Sequence, residues 1–289
     1  MATCLRSAAA AVAPVLAALV LASPAPAAGR AGVAALQVAL RQHGVYVGTV
    51  DGLLGPSTRR AVIRFQRRRG LRADGVVGPQ TRRALGRFGL HSLGARPLAS
   101  GNVGWDVAEL QFLLAWHGFP SGTFDGHYAG HTETAVRRFQ HWAGLAPDGV
   151  AGPAVFRALR KPLLSCPTAL AWPVAATLGD GFGPRGARFH AGIDLVAAAG
   201  TPVGGAAPGR VVFAGWAGGG WGRLVILQHA SGVRSLYAHL SRVQVRRGQW
   251  VATGTAVGRV GATGDATGPH LHFEVRVRGA AVDPLTALS

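Results

Sequence analysis

Two short motifs in the last third of the chain carry side chains that can hold a metal ion. The first places His190 and Asp194 four positions apart, and the second places His270 and His272 two positions apart. Zinc in proteins is bound by imidazole nitrogen and carboxylate oxygen, and a catalytic zinc keeps three protein ligands and one open position. The type and number of these side chains therefore suit a catalytic zinc site.

The residues around the second motif alternate between polar and apolar, which predicts a β-strand. The polar members share one face of such a strand: His270, His272, Glu274 and Arg276. The apolar members pack on the opposite face: Leu271, Phe273, Val275 and Val277. The Cα atoms of the two histidines would lie roughly 6.6 Å apart. One histidine can therefore bind the metal ion while the other reaches a water molecule on that ion.

The first motif requires a bend in the backbone. On a straight strand the Cα atoms of His190 and Asp194 would lie roughly 13 Å apart, too far to bind one ion. Gly192 lies between them, and glycine adopts backbone conformations that other residues avoid. We therefore expect a bend at Gly192 that turns both side chains inward.

The elements that would position these motifs are short β-strands. From Trp172 onward the chain contains brief runs that are rich in β-branched residues and separated by glycines, such as residues 209–214, 224–227 and 255–257. Runs of this kind predict strands joined by many turns. We expect residues 170–289 to form one compact, mainly antiparallel β domain.

Several motifs in a fixed order give residues 172–284 a resemblance to a known family. H-x-G-x-D begins at His190, Y-x-H-L begins at Tyr237, and T-G-P-H-L-H-F-E begins at Thr267. This order is similar to that of the lysostaphin-type, or LytM-like, zinc metallopeptidases. The resemblance implies zinc ligands at His190, Asp194 and His272 and catalytic histidines at His239 and His270.

A zinc ion at this site would support peptide hydrolysis. Zinc lowers the pKa of a bound water molecule toward about 7 and polarises the scissile carbonyl. A nearby imidazole can take the proton near neutral pH, but the sequence does not decide between His239 and His270. We also predict substrate contacts at Arg185 and Tyr237, although Arg185 fits an ordinary surface arginine equally well.

The first half of the chain contains an internal repeat at an offset of 74 residues, without a gap from residue 33 to residue 89. Apolar helical stripes, Asp-Gly turns and a Gly-Pro pair recur in both copies and predict modules of three short helices at 33–89 and 102–160. Residues 90–101 and 160–170 lack apolar periodicity and predict linkers. The repeats resemble the peptidoglycan-binding domain of wall hydrolases, which implies peptidoglycan as a partner. A helical spacer that binds nothing is the alternative.

The first 27 residues have the composition of a secretory signal peptide. Arg6 precedes an apolar run at residues 7–22, and Ala25-Pro26-Ala27 fits a small-x-small cleavage site. The run is shorter than the roughly 20 residues that cross a bilayer, and Pro14 interrupts it, which argues against an uncleaved anchor. We predict that residues 1–27 are removed and that the protein is secreted, extracellular or associated with the cell wall, without stable membrane insertion.

The net charge of the chain is +18, with 30 Lys and Arg residues against 12 Asp and Glu residues. A field of this sign attracts polyanions, either nucleic acid or an anionic wall polymer. The export signal favours the wall polymer, and no basic motif interleaved with aromatic residues indicates nucleic acid. After signal cleavage Cys166 would stand alone, which excludes an internal disulfide.

Together these patterns predict a multidomain protein, with two small three-helix peptidoglycan-binding modules followed by a mainly antiparallel β metallopeptidase domain. The predicted function is that of a zinc-dependent endopeptidase, with one zinc ion per catalytic domain, that hydrolyses cross-links or stem peptides of peptidoglycan. The alternative is a non-catalytic wall-binding activator of another cell-wall hydrolase. Non-catalytic relatives are recognised by missing metal ligands, and none is missing here.

Overall fold

The structure is a computed structural model and describes residues 27–289. The predicted signal peptide lies outside the described residues except for Ala27, where the first helix begins. None of the helices in this range is both long enough and apolar enough to cross a membrane. Six α-helices precede the β-strands: α1 (Ala27–Gln42), α2 (Pro56–Arg68), α3 (Pro79–Ala84), α4 (Trp105–Trp116), α5 (Gly130–Trp142) and α6 (Pro153–Ala158).

Each repeat folds into three short helices, which confirms the sequence prediction. Helices α1 to α3 come from the first copy and α4 to α6 from the second. The second copy has Ala129-Gly130 where the first has Gly55-Pro56. Helices α2 and α5 nevertheless begin at the equivalent positions, Pro56 and Gly130, each after an extended residue. The substitution therefore leaves the start of the helix unchanged.

Buried glutamines explain why Asp-Gly pairs recur in the repeats. Gln37 Nε2 donates to Asp51 Oδ1 at 2.7 Å, and Gly52 N donates to Gln37 Oε1 at 2.9 Å. Gln111 makes the same pair of bonds to the Asp-Gly turn of the second repeat. Gly52 has a φ of 72°, a conformation that favours glycine. These motif residues fix the turns onto the helices, so their recurrence has a structural cause.

The two repeats form one helical body, residues 27–160. Helix α1 packs along α4 in a continuous apolar core that includes Ala34, Ala35 and Ala108. In the predicted linker, Leu98 is fully buried and exchanges backbone hydrogen bonds with Ala151 at 2.8 and 3.0 Å. Most residues of segment 90–101 are exposed, and Leu98 anchors the segment to the core.

In the described residues, thirteen short strands follow the helices. They are β1 (Thr177–Leu178), β2 (Gly183–Arg185), β3 (Arg188–His190), β4 (Ile193–Val196), β5 (Pro202–Gly204), β6 (Gly209–Ala217), β7 (Gly222–Gln228), β8 (Val233–Leu240), β9 (Arg242–Val243), β10 (Trp250–Val251), β11 (Ala256–Arg259), β12 (His270–Val277) and β13 (Ala280–Val282).

The strands form one large sheet and two small ones. The main sheet has the order β1-β4-β12-β8-β7-β6-β10, and β13 also pairs with β12. Strands β5, β11 and β9 form a three-stranded sheet, and β2 and β3 form a hairpin. All pairings between these strands are antiparallel, as predicted. One face of β12 packs into the apolar core through Leu271, Phe273, Val275 and Val277.

The helical body holds the tip of the β2–β3 hairpin. Val50 N in the first repeat donates to Gly186 O at 2.8 Å, and Phe124 N in the second repeat donates to Ala187 O at 2.7 Å. Both repeats therefore contact the turn of the hairpin. His190 is the last residue of this hairpin, so its backbone is braced from outside the β domain.

The end of helix α4 provides a second contact with the β domain. The Trp116 ring packs edge-on against Phe189 and Phe182 of the hairpin region, with centroid distances of 5.3 and 6.3 Å. Just beyond the helix, Gly118 O accepts a hydrogen bond from Ala281 N in β13 at 3.2 Å. The helical body and the β domain therefore pack directly on one another.

We expect Gly118→Ala to disturb this docking. Gly118 has a φ of 86°, and an added Cβ would collide with the backbone of Ala281. Gly122→Ala is the matched control, because Gly122 has a φ of 88° but faces open space. Gly118→Ala should lose about 1–3 kcal/mol more of the free energy of unfolding than Gly122→Ala, as measured by urea denaturation. Equal losses would show that the contact with β13 contributes nothing.

Candidate metal centre and active-site groove

The three predicted metal ligands lie together on one face of the main sheet. His272 Nδ1 lies 2.8 Å from Asp194 Oδ1, and His190 Nε2 lies 3.0 Å from His272 Nδ1 and 3.2 Å from Asp194 Oδ1. Among the residues that the structure describes, this is the only group of three or more His, Cys, Asp or Glu side chains close enough to share one ion.

The antiparallel sheet brings this cluster together. Asp194 on β4 lies directly opposite His272 on the neighbouring strand β12. His190 is the last residue of β3, and residues 191–192 interrupt the extended conformation before β4 begins. An added Cβ at Gly192 would collide with the backbone of Phe273. The expected break at Gly192 is present, and a side chain is excluded there because β12 passes so close.

The outer nitrogens of both cluster histidines are held by hydrogen bonds. His190 Nδ1 donates to Gly181 O at 2.9 Å. His272 Nε2 lies 3.3 Å from Glu274 Oε1, to which it donates. A neutral imidazole carries a single N–H, so these bonds leave the lone pairs of His190 Nε2 and His272 Nδ1 facing the cluster. Two unprotonated nitrogens and one carboxylate oxygen then converge on one point.

The cluster favours a positive charge at its centre. Burial opposes ionisation of Asp194, yet hydrogen bonds from His190 and His272, in the state in which their facing nitrogens carry protons, hold the pKa of its carboxyl well below the usual range. Burial lowers the pKa of His272, but the flanking carboxylates Asp194 and Glu274 outweigh it and raise this pKa to about 9. A proton and a metal ion therefore compete for the same nitrogen.

Glu274 links the cluster to an arginine. Its side chain is almost fully buried, and two nitrogens of Arg276 contact Glu274 Oε2 at 2.8 and 2.7 Å. Burial would raise the pKa of Glu274, but Arg276 and the hydrogen bond from His272 hold it below its ordinary value. Glu274 is therefore charged and orients the His272 ring.

The two predicted catalytic histidines lie beside the cluster. The rings of His239 and His270 have centroids 4.8 Å apart, and His270 Nε2 lies 3.7 Å from Asp194 Oδ1. His239 Nδ1 donates to Thr263 O at 2.8 Å, and His270 Nδ1 donates to Gly268 O at 2.9 Å. In the described part of the chain, the Nε2 atom of neither ring forms a hydrogen bond.

His239 reaches the groove through a break in strand alternation. Ala238 lies opposite His272 in the register of β8 and β12, so a regular strand would turn His239 toward the opposite face. His239 instead has a φ of 59°, which is uncommon for a residue other than glycine. Such strained conformations persist where the surrounding structure enforces them, commonly at functional sites.

The prediction of a substrate contact at Tyr237 is wrong. Tyr237 follows the regular alternation of β8, is 0% exposed and packs against Phe273 in the core. Its hydroxyl accepts hydrogen bonds from Ala206 N and Ser235 Oγ, both at 2.8 Å, and burial raises its pKa to about 12. Tyr237 therefore supports the core beneath the site.

A groove of about 810 Å³ runs over the cluster and is lined entirely by residues of the β domain. Of the predicted site residues, it includes His190, Asp194, His239, His270, His272 and Arg185. Arg185 Nη1 contacts Asp180 Oδ2 at 3.0 Å and Asp194 Oδ2 at 3.2 Å. Arg185 is therefore anchored at the cluster, in contrast to an ordinary surface arginine.

Two contacts at the groove have no counterpart in the sequence predictions. The Trp221 ring lies edge-on to the His272 ring, with centroids 5.6 Å apart, and it lines the groove. The carbonyl of Gly181 orients His190. Neither contact could be inferred from spacing, because Trp221 is an isolated aromatic residue in a glycine-rich turn and every residue carries a carbonyl group.

Known protein families match both the helical body and the β domain of the chain. Residues 188–284 match the sequence profile "Peptidase family M23". The chain carries an M23 peptidase domain. Residues 29–85 and 104–159 each match the profile "Putative peptidoglycan binding domain". The resemblance to lysostaphin-type peptidases and to peptidoglycan-binding domains is thereby confirmed.

The relatives of the M23 domain include proteins named as enzymes and as activators. The "DD-carboxypeptidase/endopeptidase Mpg" of Neisseria meningitidis serogroup B is 48% identical over 99 residues, which cover 34% of this chain and 23% of that protein. The "Murein hydrolase activator NlpD" of Salmonella dublin is 37% identical over 117 residues, which cover 40% of this chain and 30% of that protein. The chain thus spans less than a third of the length of either relative.

A solved structure with a similar sequence is the catalytic domain of the antimicrobial peptidase lysostaphin from Staphylococcus simulans. It is 35% identical, and the match covers 38% of this chain and 90% of that chain with a TM-score of 0.37.

Proposed function

We propose that the protein is a secreted, zinc-dependent endopeptidase that hydrolyses peptide bonds in bacterial peptidoglycan. The observation that carries this proposal is the convergence of a complete set of zinc-type ligands and two further histidines in one open groove. Membership of the M23 peptidase family supports the same reaction. The bond that is cut lies in a stem peptide or a cross-link.

Zinc fits the donor set of the cluster. Two imidazole nitrogens and one carboxylate oxygen are ligands found in catalytic zinc sites, and here the three atoms lie 2.8 to 3.2 Å from one another. His190, Asp194 and His272 would hold the ion. When bound, zinc polarises a carbonyl group and acidifies a water molecule.

His239 and His270 would move the proton that hydrolysis requires. Attack of water on an amide releases a proton, and the leaving nitrogen must gain one. Both histidines present a free Nε2 to the groove. Burial, together with the neighbouring histidines, lowers the pKa of His239, which favours the neutral form of the ring, the form that can accept a proton. We assign to this pair the transfer from water to the departing amine.

Arg185 would orient the substrate. Two carboxylates, Asp180 and Asp194, hold one of its terminal nitrogens, and its side chain remains 56% exposed in the groove. The remaining N–H groups can donate to a carbonyl or carboxylate oxygen of a bound peptide. This contact would place the scissile bond beside the metal centre.

The helical body would keep the enzyme on its insoluble substrate. Both repeats match a peptidoglycan-binding profile, and attachment raises the local concentration of substrate around a catalytic domain. Because the helical body packs directly on the β domain, the groove would be held at a fixed position relative to the wall-binding surface.

The alternative is a wall-binding activator that does no chemistry. The name of the Salmonella relative favours it. An activator needs no metal ligands, however, and the complete His190–Asp194–His272 cluster favours the enzyme. The two functions differ in whether the protein alone can cut the wall.

The test is release of new amino groups from purified peptidoglycan by the protein alone. We expect amines to appear with the zinc-loaded protein, to stop after treatment with a chelator and to return when zinc is added. Mass spectrometry of the fragments then identifies the bond. Amine release that requires an added amidase would instead support the activator.

Glu274→Gln should weaken zinc binding about 10–100-fold, because partners that orient a metal-binding histidine contribute this much to affinity. The change removes the charge that accepts the His272 N–H and pairs with Arg276. Competition with a chromophoric chelator measures the affinity. Glu133→Gln is the control, because it removes a partly exposed carboxylate that pairs with Arg137 at 2.8 Å, away from the cluster. Equal zinc affinities in the two variants would refute the orienting role.

A further inference from the structure

A second cavity, of about 430 Å³, lies between the helical body and the β domain. One wall is formed by helix α5 and the segment after it, and the other by strands β7, β8 and β12. We call it the arginine pocket. Within the described part of the chain, no acidic side chain lines it, whereas five arginines do: Arg137, Arg138, Arg234, Arg276 and Arg278.

Two of these arginines have a carboxylate partner among residues 27–289. Arg137 pairs with Glu133 at 2.8 Å, and Arg276 pairs with Glu274 at 2.7 Å. Arg138, Arg234 and Arg278 form no salt bridge with any residue that the structure describes. Three arginines without a salt-bridge partner among the described residues therefore line one cavity.

Docking of the two halves of the chain creates this concentration of charge. Arg138 comes from the helical body, whereas Arg234, Arg276 and Arg278 come from the β domain. Burial and repulsion from Arg276 lower the pKa of Arg138, although the Glu274 carboxylate acts in the opposite direction. Bringing like charges into a partly buried space is unfavourable unless an anion compensates them. The pocket thus concentrates positive charge that a bound anion would neutralise.

The walls of the pocket add an apolar surface to the charge. The guanidinium of Arg138 lies 5.7 Å from the centroid of the Phe119 ring, and that of Arg278 lies 5.5 Å from the Trp142 ring. Stacking on aromatic rings holds a planar guanidinium in place while its N–H groups stay available for two-point contacts with an oxyanion. Carbon atoms attached to that oxyanion can pack against the same rings.

We propose that the arginine pocket binds an oxyanion of the cell wall, either a carboxylate of a stem peptide or a phosphate of an anionic wall polymer. The choice of a wall ligand rests on the proposed function, whereas the preference for an oxyanion rests on the pocket alone. The bound anion joins α5 to the β domain and lies outside the catalytic groove. The pocket is therefore a second attachment point, formed only when both halves of the chain are docked.

The test removes the two stacked, unpaired arginines. Arg138→Gln/Arg278→Gln leaves Arg276 in place, because Arg276 holds Glu274 and so supports the metal centre. Arg60→Gln/Arg67→Gln is the control, since it removes the same charge from exposed positions on α2. Binding is measured by calorimetric titration of the full chain with two probes, a soluble stem tetrapeptide and a glycerol phosphate trimer. The titration is done at physiological salt, where long-range surface attraction is screened.

We expect at least one probe to bind the pocket variant about tenfold more weakly than the wild type, the change expected from losing charge-assisted contacts. Binding to the control variant should stay within about twofold, which corresponds to ~0.4 kcal/mol. The probe whose binding is weakened in the pocket variant identifies the source of the oxyanion. Equal weakening in both variants would trace binding to the overall charge of the chain and overturn the proposal, as would no binding of either probe.

Two further measurements distinguish failure of this proposal from failure of the proposed function. Equal thermal midpoints in the two double variants show that the pocket variant is folded. A midpoint lowered only in the pocket variant and restored by neither probe would mean a structural role, and the proposal fails. If the pocket binds an oxyanion but the protein does not hydrolyse peptidoglycan, the proposed peptidase function is refuted and the proposed oxyanion site is retained.

Discussion

Asp194→Ala should abolish zinc binding and peptide hydrolysis together. Asp194 Oδ1 contacts both cluster histidines, at 2.8 and 3.2 Å, so its loss removes the only carboxylate of the cluster. Loss of a partner that only orients a ligand already lowers metal affinity or activity 10–100-fold. We therefore expect a fall of more than about 100-fold in both quantities. Elemental analysis gives zinc per chain, and amine release from peptidoglycan gives activity.

Asp180→Ala is the matched control for this variant. Asp180 also contacts Arg185, at 3.0 Å, but it is 62% exposed and lies outside the cluster. It should keep a full complement of zinc and lose only the part of activity that depends on holding Arg185. If Asp194→Ala kept about one zinc ion per chain, the ion would have to be held elsewhere and the assigned cluster would be wrong.

His239→Ala and His270→Ala should each retain zinc but hydrolyse peptidoglycan about 10²–10⁴-fold more slowly. Neither ring is needed to complete the three-ligand cluster, and both present a free Nε2 beside it. The loss should therefore appear in kcat, with little change in KM. Zinc content and steady-state kinetics on a soluble peptide separate these effects.

An exposed histidine supplies the control for the catalytic pair. His91→Ala removes an imidazole at the surface of the helical body and should change neither zinc content nor kcat. Loss of zinc from the His239→Ala or His270→Ala variant would show that the replaced histidine is a metal ligand. That result would contradict the division of roles. A variant of His239 or His270 with full kcat would exclude that residue from proton transfer.

The contrast between Tyr237 and His239 shows where local sequence patterns fail. Both residues belong to one motif, and strand alternation places them on the same face. The positive φ of His239 reverses its side chain and leaves Tyr237 in the core. A left-handed backbone at a residue other than glycine depends on surrounding tertiary contacts, so the motif alone could not distinguish the two.

The segment between the two repeats shows a related limit of local sequence patterns. Residues 90–101 lack helical periodicity, which the sequence shows correctly. The burial of Leu98 depends on its pairing with Ala151, a residue far along the chain, and on the packing of α1 against α4. Low periodicity indicates the absence of a helix, but it carries no information about burial.

The sequence by itself determined the features that rest on local periodicity and residue chemistry. The repeat predicted three-helix modules, the alternation around His272 predicted strand β12, and the donor types predicted a zinc-like set at His190 and Asp194. These inferences succeed because helix and strand periods follow from backbone geometry, and ligand preference follows from the side chain alone.

The tertiary structure alone decided how these parts face one another. It placed Glu274 and the Gly181 carbonyl behind the cluster histidines, braced the β2–β3 hairpin with the helical body, and brought five arginines into one pocket. Each of these contacts joins segments whose relative position depends on the packing of whole domains. No local pattern encodes that packing, because burial and close approach are properties of the folded chain as a whole.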